Sequence, residues 1–276
     1  MGSSQDNRGV IAFIGGGNMA SAIIGGLLRQ GIALPDIEVV EPFAQARDKL
    51  KAQFGVQARD GATGALQRAG LVIWAVKPQT FAQAAHAAAP HVKTALHLSV
   101  AAGIRSGSIA SWLGTQRIVR SMPNTPALVG KGMTALFARD AVTAADRQWV
   151  EQVIATTGEY LWVGAESDLD SVTAISGSGP AYVFFFLEAM TQAGTEMGLS
   201  REQAYKLAVG TFAGASELAR ASAEPPEVLR QRVTSKGGTT HAAITSMEHD
   251  QVKALFVKAL HAARTRAKEL GDEFGS

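Results

Sequence analysis

The chain has 276 residues, 46% of them apolar, and a formal net charge of +2 from 26 basic and 24 acidic side chains that are interspersed. That length suits two ordinary domains, each able to bury a core, and the near-neutral balance leaves no basic footprint for a nucleic-acid partner. There is no cysteine, which excludes disulfides and thiolate metal sites, and the six histidines form no H-E-x-x-H pair, so no metal is expected.

The opening MGSSQDNRG is polar, and the apolar run after it is too short for a signal peptide or a membrane span. A soluble, cytoplasmic protein with no membrane partner is expected, with Met1–Asn7 mobile. Val10, Ile11, Phe13 and Ile14 then follow without polar alternation, as in a strand buried on both faces. They run into Gly15-Gly16-Gly17, and from Asn18 the residues Met19, Ile23, Ile24, Leu27 and Leu28 recur at helical spacing. Strand, glycine turn and helix start make an anion-binding arrangement. Gly15 permits a tight turn, Gly17 opens the backbone to a pyrophosphate, and Ala20 lets the helix pack closely on the strand. The helix end adds roughly half a positive charge. A glycine-rich turn can also merely join two elements. The dinucleotide reading of Gly15, Gly16, Gly17, Asn18, Met19 and Ala20 therefore leans on the repetition of strand and helix that follows.

Ile37–Val40 is a second short strand, ending at Glu41-Pro42. Glu41 stands 21 residues beyond Ala20, where an acidic residue accepts the adenosine ribose hydroxyls of NADH and repels a 2′-phosphate. The plainer reading is a solvated carboxylate before a helix starting near Phe43, and Arg47 could still pair the 2′-phosphate of NADPH. NADPH or NADH is thus expected. Leu71–Val76 is a third strand, stopped by Lys77-Pro78, with a helix over 80–89. Ala75, Val76, Lys77 and Pro78 then lie at the carboxyl edge of the sheet, where open α/β folds bind ligands. Lys77 either reaches a phosphate or ribose or is merely solvated. A strand over 95–100 leads to Ala101-Ala102-Gly103, and the small residues beside Val100 let a flat nicotinamide ring lie against the backbone. Ile118-Val119 opens another strand, leading into RSMPNTP at 120–126, whose two prolines hold an extended loop at the same edge. Strands over 133–137 and 160–163, with a helix over 144–156 between them, close the alternation near Val163. The expected fold is an α/β N-terminal Rossmann-like domain, a mostly parallel doubly wound sheet over residues 8–164. An all-α C-terminal dimerisation and substrate-binding domain follows over residues 165–276.

Past Val163 the pattern is helical. Leu169–Ile175 leads through Ser-Gly-Ser-Gly-Pro at 176–180 into an apolar helix over 181–197 carrying Phe184, Phe185, Phe186, Leu187 and Met190. It is hydrophobic nearly all round, more than about 110 residues can cover, so a homodimer is expected to bury it. Glu188 within it is either paired or facing a cleft. Ser200 with Gln203 opens the next helix as a capping arrangement, Pro225-Pro226 breaks it, a short helix spans 227–233, and the final helices span 241–270. Between them, Ser235 to Thr240 gathers glycine and hydroxyls directly before a helix, which suits a carboxylate. An ordinary N-cap from Thr239 or Thr240 is the simpler account. The adjacent glycines weigh against it, because they cost backbone entropy that a cap does not require.

Five segments together carry a family resemblance: IGGGNMA (14–20), AVKPQ (75–79), RSMPNTPALVGKG (120–132), SGSGPAY (176–182) and SKGGTT (235–240). In this combination and order the chain resembles pyrroline-5-carboxylate reductase along nearly its whole length. The resemblance implies NAD(P)H-dependent reduction of 1-pyrroline-5-carboxylate to L-proline, the last step of proline synthesis, by an interlocked homodimer assembling to a decamer. Carried over by position, it puts the pyrophosphate on Gly15–Ala20 and the nicotinamide near Ala75–Pro78 and Val100–Ala102. Substrate falls on Ser235, Gly238, Thr239 and Thr240. In this reading Ser235 and the N–H groups of Gly238 and Thr239 clamp the carboxylate, and Thr240, the catalytic candidate, bonds the ring nitrogen. Glu166 is a further substrate-pocket candidate, or else a solvated carboxylate at a helix start. Lys236 departs from the family, which has proline there. Two other readings compete: a β-hydroxyacid or 6-phosphogluconate-type dehydrogenase, for which Lys206 lacks the surrounding G-x-x-x-N-x-x-K pattern, and a non-catalytic nucleotide-sensing protein.

Overall fold

A computed structural model describes residues 9–274; the expectation for Met1–Asn7 lies outside them. The described residues up to Ser178, with those from Ala263 onward, form one compact unit, and Gly179–Ala262 form a second. The sequence-based division between 164 and 165 tracks the last strand. The compact units divide after Ser178 instead, because the short helical segment beyond the sheet stays with it.

In the first unit, β1 (Val10–Ile14), α1 (Asn18–Arg29), β2 (Ile37–Val40), α2 (Ala44–Phe54), β3 (Ala69–Trp74), α3 (Pro78–Ala88), β4 (Leu96–Ser99) and α4 (Ser106–Leu113) alternate as expected. They are followed by β5 (Ile118–Met122), β6 (Gly132–Ala138), α5 (Ala144–Ile154), β7 (Gly158–Trp162) and α6 (Asp168–Val172), which runs into a π-turn at Thr173–Gly177. The sheet order is β2-β1-β3-β4-β5-β6-β7. Every pairing is parallel except β5 with β6. That exception has a simple cause: a parallel return needs a dozen or more residues, and the link from Met122 to Gly132 is shorter. Arg120–Met122 are the end of β5 rather than loop, so the rigid loop begins at Pro123.

The two faces of the sheet carry separate cores. Ile11 and Phe13 point to one, with Ile23, Ile24 and Leu27 of α1; Ala12 and Ile14 point to the other, with Trp74, Phe81 and Ile109. Burying each large aliphatic side chain stabilises by about 1.5–3 kcal/mol, which is why α1 lies flat on β1 and carries the glycine turn with it. His97 of β4 sits in the second face, fully buried. The Trp74 indole Nε1 donates to His97 Nδ1 at 3.1 Å, and Trp74 stacks on Phe81 at 5.2 Å between ring centroids. Burial, and next the Arg117 charge, lower the His97 pKa to about 4; the Val92 carbonyl pulls weakly the other way.

The second unit contains α7 (Gly179–Glu196), α8 (Arg201–Ala221), α9 (Pro226–Arg232), α10 (Thr239–His249) and the first turns of α11 (Val252–Phe274). Ser200 and Gln203 form the expected capping box at the start of α8. Along α7, Phe184 and Phe185 remain exposed, the latter by 67%. Glu188 lines a cavity of about 540 Å³ with Leu187, Thr191, Arg201 and Tyr205. Among the described residues no helix is long and apolar enough to cross a membrane.

Candidate active site

The register brings the strand ends level. Ile14 pairs with Val40 on one side and Trp74 on the other, and Trp74 pairs with Ser99. Backbone bonds continue past the strands: the N–H groups of Gly15, Ala75 and Val100 donate to the carbonyls of Val40, Ile14 and Trp74 at 2.8, 2.8 and 3.0 Å. Gly15–Ala20, Glu41, Ala75–Pro78 and Val100–Ala102 therefore share one edge.

Within the glycine turn each residue has a distinct job. Gly15 has φ +98°, and a Cβ there would stand 2.5 Å from the Ala75 carbonyl oxygen, so only glycine fits. The Gly16 N–H donates to Glu41 Oε2 at 2.7 Å, and a Cβ on Gly16 would meet Leu50 Cδ1 at 2.6 Å. Gly17 and Asn18 are exposed, with open space where a side chain on Gly17 would lie. Helix α1 starts on Gly17 with no side-chain cap and no acid in its first turn, leaving its first N–H groups and dipole free for an anion. Met19 is half-buried and Ala20 fully buried against the sheet. The residues fit a dinucleotide pyrophosphate.

Glu41 corrects the plainer expectation. It is 6% exposed rather than solvated, and its second oxygen accepts the Phe43 N–H at 2.9 Å. Arg47 Nη1 donates to the carbonyls of Glu41 and Pro42 at 3.0 and 2.7 Å. Lys77 is an exposed residue before Pro78, the first residue of α3. Val76 and Pro78 are half-buried, Ala101 is buried with its N–H on Ser99 Oγ, and Ala102 is exposed.

Glu166 is not a free pocket carboxylate. It accepts from Ser106 N–H and Ser106 Oγ at 2.6 Å each and from Arg120 Nη1 at 2.7 Å. It thereby caps α4 and neutralises an arginine that is 4% exposed within the sheet. Burial pushes the Glu166 carboxyl up, but the Ser106 hydrogen bonds and the Arg120 charge outweigh it and hold it below the usual range. Two partners went unread: Arg120, a buried arginine in the middle of β5, and Asn124. The Asn124 side chain donates to the Ser176 carbonyl at 3.1 Å and accepts the Met133 N–H at 2.9 Å, tying the proline-bracketed loop to the π-turn.

In the second unit, α10 begins on Gly238, again with no side-chain cap and no acid in the first turn. The N-cap account of Thr239 and Thr240 therefore fails: they are the first two helical residues. Gly237 has φ +76°. The Gly238 N–H closes the turn on the Ser235 carbonyl at 3.0 Å, which removes it from the expected carboxylate clamp. The first helical N–H groups, from Thr239 on, have no acceptor within the helix. Lys236 is exposed, and the turn forms without proline.

An α/β dinucleotide-binding oxidoreductase with a helical second unit is the class of protein these features define. The curated pyrroline-5-carboxylate reductase of Pseudomonas aeruginosa is 43% identical over 267 residues, covering 96% of this chain and 98% of that protein. The chain belongs to the pyrroline-5-carboxylate reductase family. Residues 166–270 match the family described as pyrroline-5-carboxylate reductase dimerisation, and residues 10–103 match NADP oxidoreductase, coenzyme F420-dependent. The Coxiella burnetii pyrroline-5-carboxylate reductase structure superposes with TM-score 0.88 at 38% identity, over 96% of this chain and 99% of that one. The Plasmodium falciparum pyrroline carboxylate reductase, solved with NADP bound, gives TM-score 0.86 at 28% identity over 96% and 99%. The hydroxyacid-dehydrogenase and non-catalytic readings are not favoured.

Proposed function

We propose that this chain reduces the cyclic imine of 1-pyrroline-5-carboxylate to give L-proline, with the Gly15–Ala20 edge gripping NAD(P)H and the Ser235–Thr240 turn gripping the substrate carboxylate. One observation carries the reading: two helices in the chain, α1 and α10, start on glycine without side-chain cap or acid. Helices α2, α3 and α4 also lack a side-chain cap but start on Phe43, Lys77 and Arg105, whereas α5 and α8 open on full capping boxes. The two uncapped starts suit the two anions of this reaction, a pyrophosphate and a carboxylate.

The dinucleotide, when bound, supplies a hydride to the C=N carbon. The chain's own work is to hold and orient. The Ser235 hydroxyl and the N–H groups of Thr239 and Thr240 take the carboxylate, and the Thr240 hydroxyl bonds the ring nitrogen. Gly238 brings Ser235 Oγ close, since a Cβ there would lie 2.7 Å from it. Ala75–Pro78 and Val100–Ala102 form the low wall against which a nicotinamide ring lies. A protonated iminium needs no strong acid from the protein, so positioning supplies most of the acceleration. Glu166, bonded to Ser106 and Arg120, is given no contact with substrate in this reading. Assembly of dimers into a decamer and a cytoplasmic location belong to the same proposal, supported by the family resemblance.

Oxidation of NADH and NADPH is followed with pyrroline-5-carboxylate and, in parallel, with β-hydroxyacids. Proline formed in step with dinucleotide consumed is expected with the imine alone. No turnover of the imine with either dinucleotide overturns the reading.

A further inference from the structure

The turn between β2 and α2 holds an unusual set of groups. Phe43 is the N-cap of α2, a position that favours Ser, Thr, Asp or Asn, yet it makes no side-chain cap and its side chain is 73% exposed. Its backbone is fixed from both sides: the N–H donates to Glu41 Oε1 at 2.9 Å, and the carbonyl accepts from the N–H groups of Ala46 and Arg47 at 3.1 Å each. The same carboxylate holds the Gly16 N–H, so a single side chain spans the phosphate turn and the base of the aromatic ring. An exposed ring on a backbone held by the carboxylate that also holds the glycine turn suits a flat base.

The turn holds one carboxylate and one guanidinium, which do not pair with each other. Glu41 is buried, and among the described residues no cation forms an ion pair with it. Arg47 has turned its Nη1 to two backbone carbonyls. Arg59, whose carbonyl accepts the Glu41 N–H at 2.7 Å, gives its own side chain to Glu38. Among the described residues no cation offsets this carboxylate, whose two oxygens already hold the Gly16 and Phe43 N–H groups; a doubly charged 2′-phosphate brought beside it is repelled, whereas a neutral ribose is not.

We propose that Phe43 is the platform for the adenine ring and that this turn takes NADH in preference to NADPH. The inference rests on the NAD(P)H-dependent reading above and adds the choice between the two dinucleotides.

Equilibrium binding to the full-length protein at low salt, followed by calorimetry, tests it with four probes: NADH, NADPH, 5′-AMP and 2′,5′-ADP. NADH is expected to bind about tenfold tighter than NADPH, the size of a modest charge repulsion, and 5′-AMP to bind tighter than 2′,5′-ADP. Phe43→Ala is expected to weaken NADH and 5′-AMP by roughly five- to hundredfold, the range for a lost base–aromatic stack, with Phe43→Tyr restoring both and thermal stability unchanged. Glu41→Gln should narrow the NADH-to-NADPH ratio; if it does not fold, the exposed Phe43 pair still decides. NADPH binding as tightly as NADH, or Phe43→Ala binding both adenosine probes like wild type, overturns the proposal while leaving the reductase reading in place. Binding of neither dinucleotide overturns both.

Discussion

Acid should unfold this protein through His97 before its carboxylates titrate. The imidazole is buried with Nδ1 committed to the Trp74 indole, and its pKa falls from 6.5 to about 4. A histidine whose folded pKa lies below its unfolded value binds protons better when unfolded, so its stabilising effect is whole above about pH 6.5. It is lost as the pH falls, levelling off near 4. A drop of about 2.5 units at 1.36 kcal/mol each amounts to about 3 kcal/mol, of which about 2 kcal/mol is gone by pH 5. The lowered carboxyls of Asp146 and Glu166 act in the same direction but only from about pH 4.5 downward. Urea unfolding at pH 7.5 and pH 5, read by tryptophan emission, should show wild type losing about 2 kcal/mol more than His97→Gln over that interval. Equal losses in the two proteins would refute the argument, whatever their starting stabilities.

Thr240→Ala should lower kcat/KM by about 10- to 1,000-fold, the range for one lost site hydrogen bond, while calorimetry shows dinucleotide affinity intact; full turnover would remove Thr240 from the mechanism. Glu166→Gln leaves the Arg120 charge, 4% exposed, without its partner, and a loss of about 3–5 kcal/mol in chemical unfolding is expected. In the wild-type protein that pair is present above about pH 4.5 and lost as the pH falls through the depressed Glu166 pKa. Gly15→Ala forces a side chain onto positive φ and into the Ala75 carbonyl, so dinucleotide binding should vanish, with a drop in Tm seen by calorimetry.

The fold was legible because buried parallel strands read as unbroken apolar runs. Val10–Ile14, Ile37–Val40 and the run ending at Trp74 needed no partner to be recognised, and the glycines after the first could serve only a turn. What stayed hidden was pairing across the fold. Nothing local to Glu41 says that its carboxylate folds under Gly16, because that bond joins residues 25 apart. Arg120 and Glu166 are 46 apart, so each reads alone as a charge with no destination. The SKGGTT turn was legible as a helix start, yet which N–H closes the turn depends on the φ of Gly237, a backbone choice that composition does not reveal. The division after Ser178 escaped for a similar reason: periodicity marks where strands stop, not which unit a helix joins.

The final turns of α11 return to the first unit. Arg105 reaches Asp272 and the Lys268 carbonyl, and Gly103 packs on Leu270. The sheet-bearing unit is thus built from residues 9–178 together with 263–274, and Gly179–Ala262 are an insertion between them in sequence. Removing residues 263–274 should therefore destabilise the sheet-bearing unit rather than the helical one.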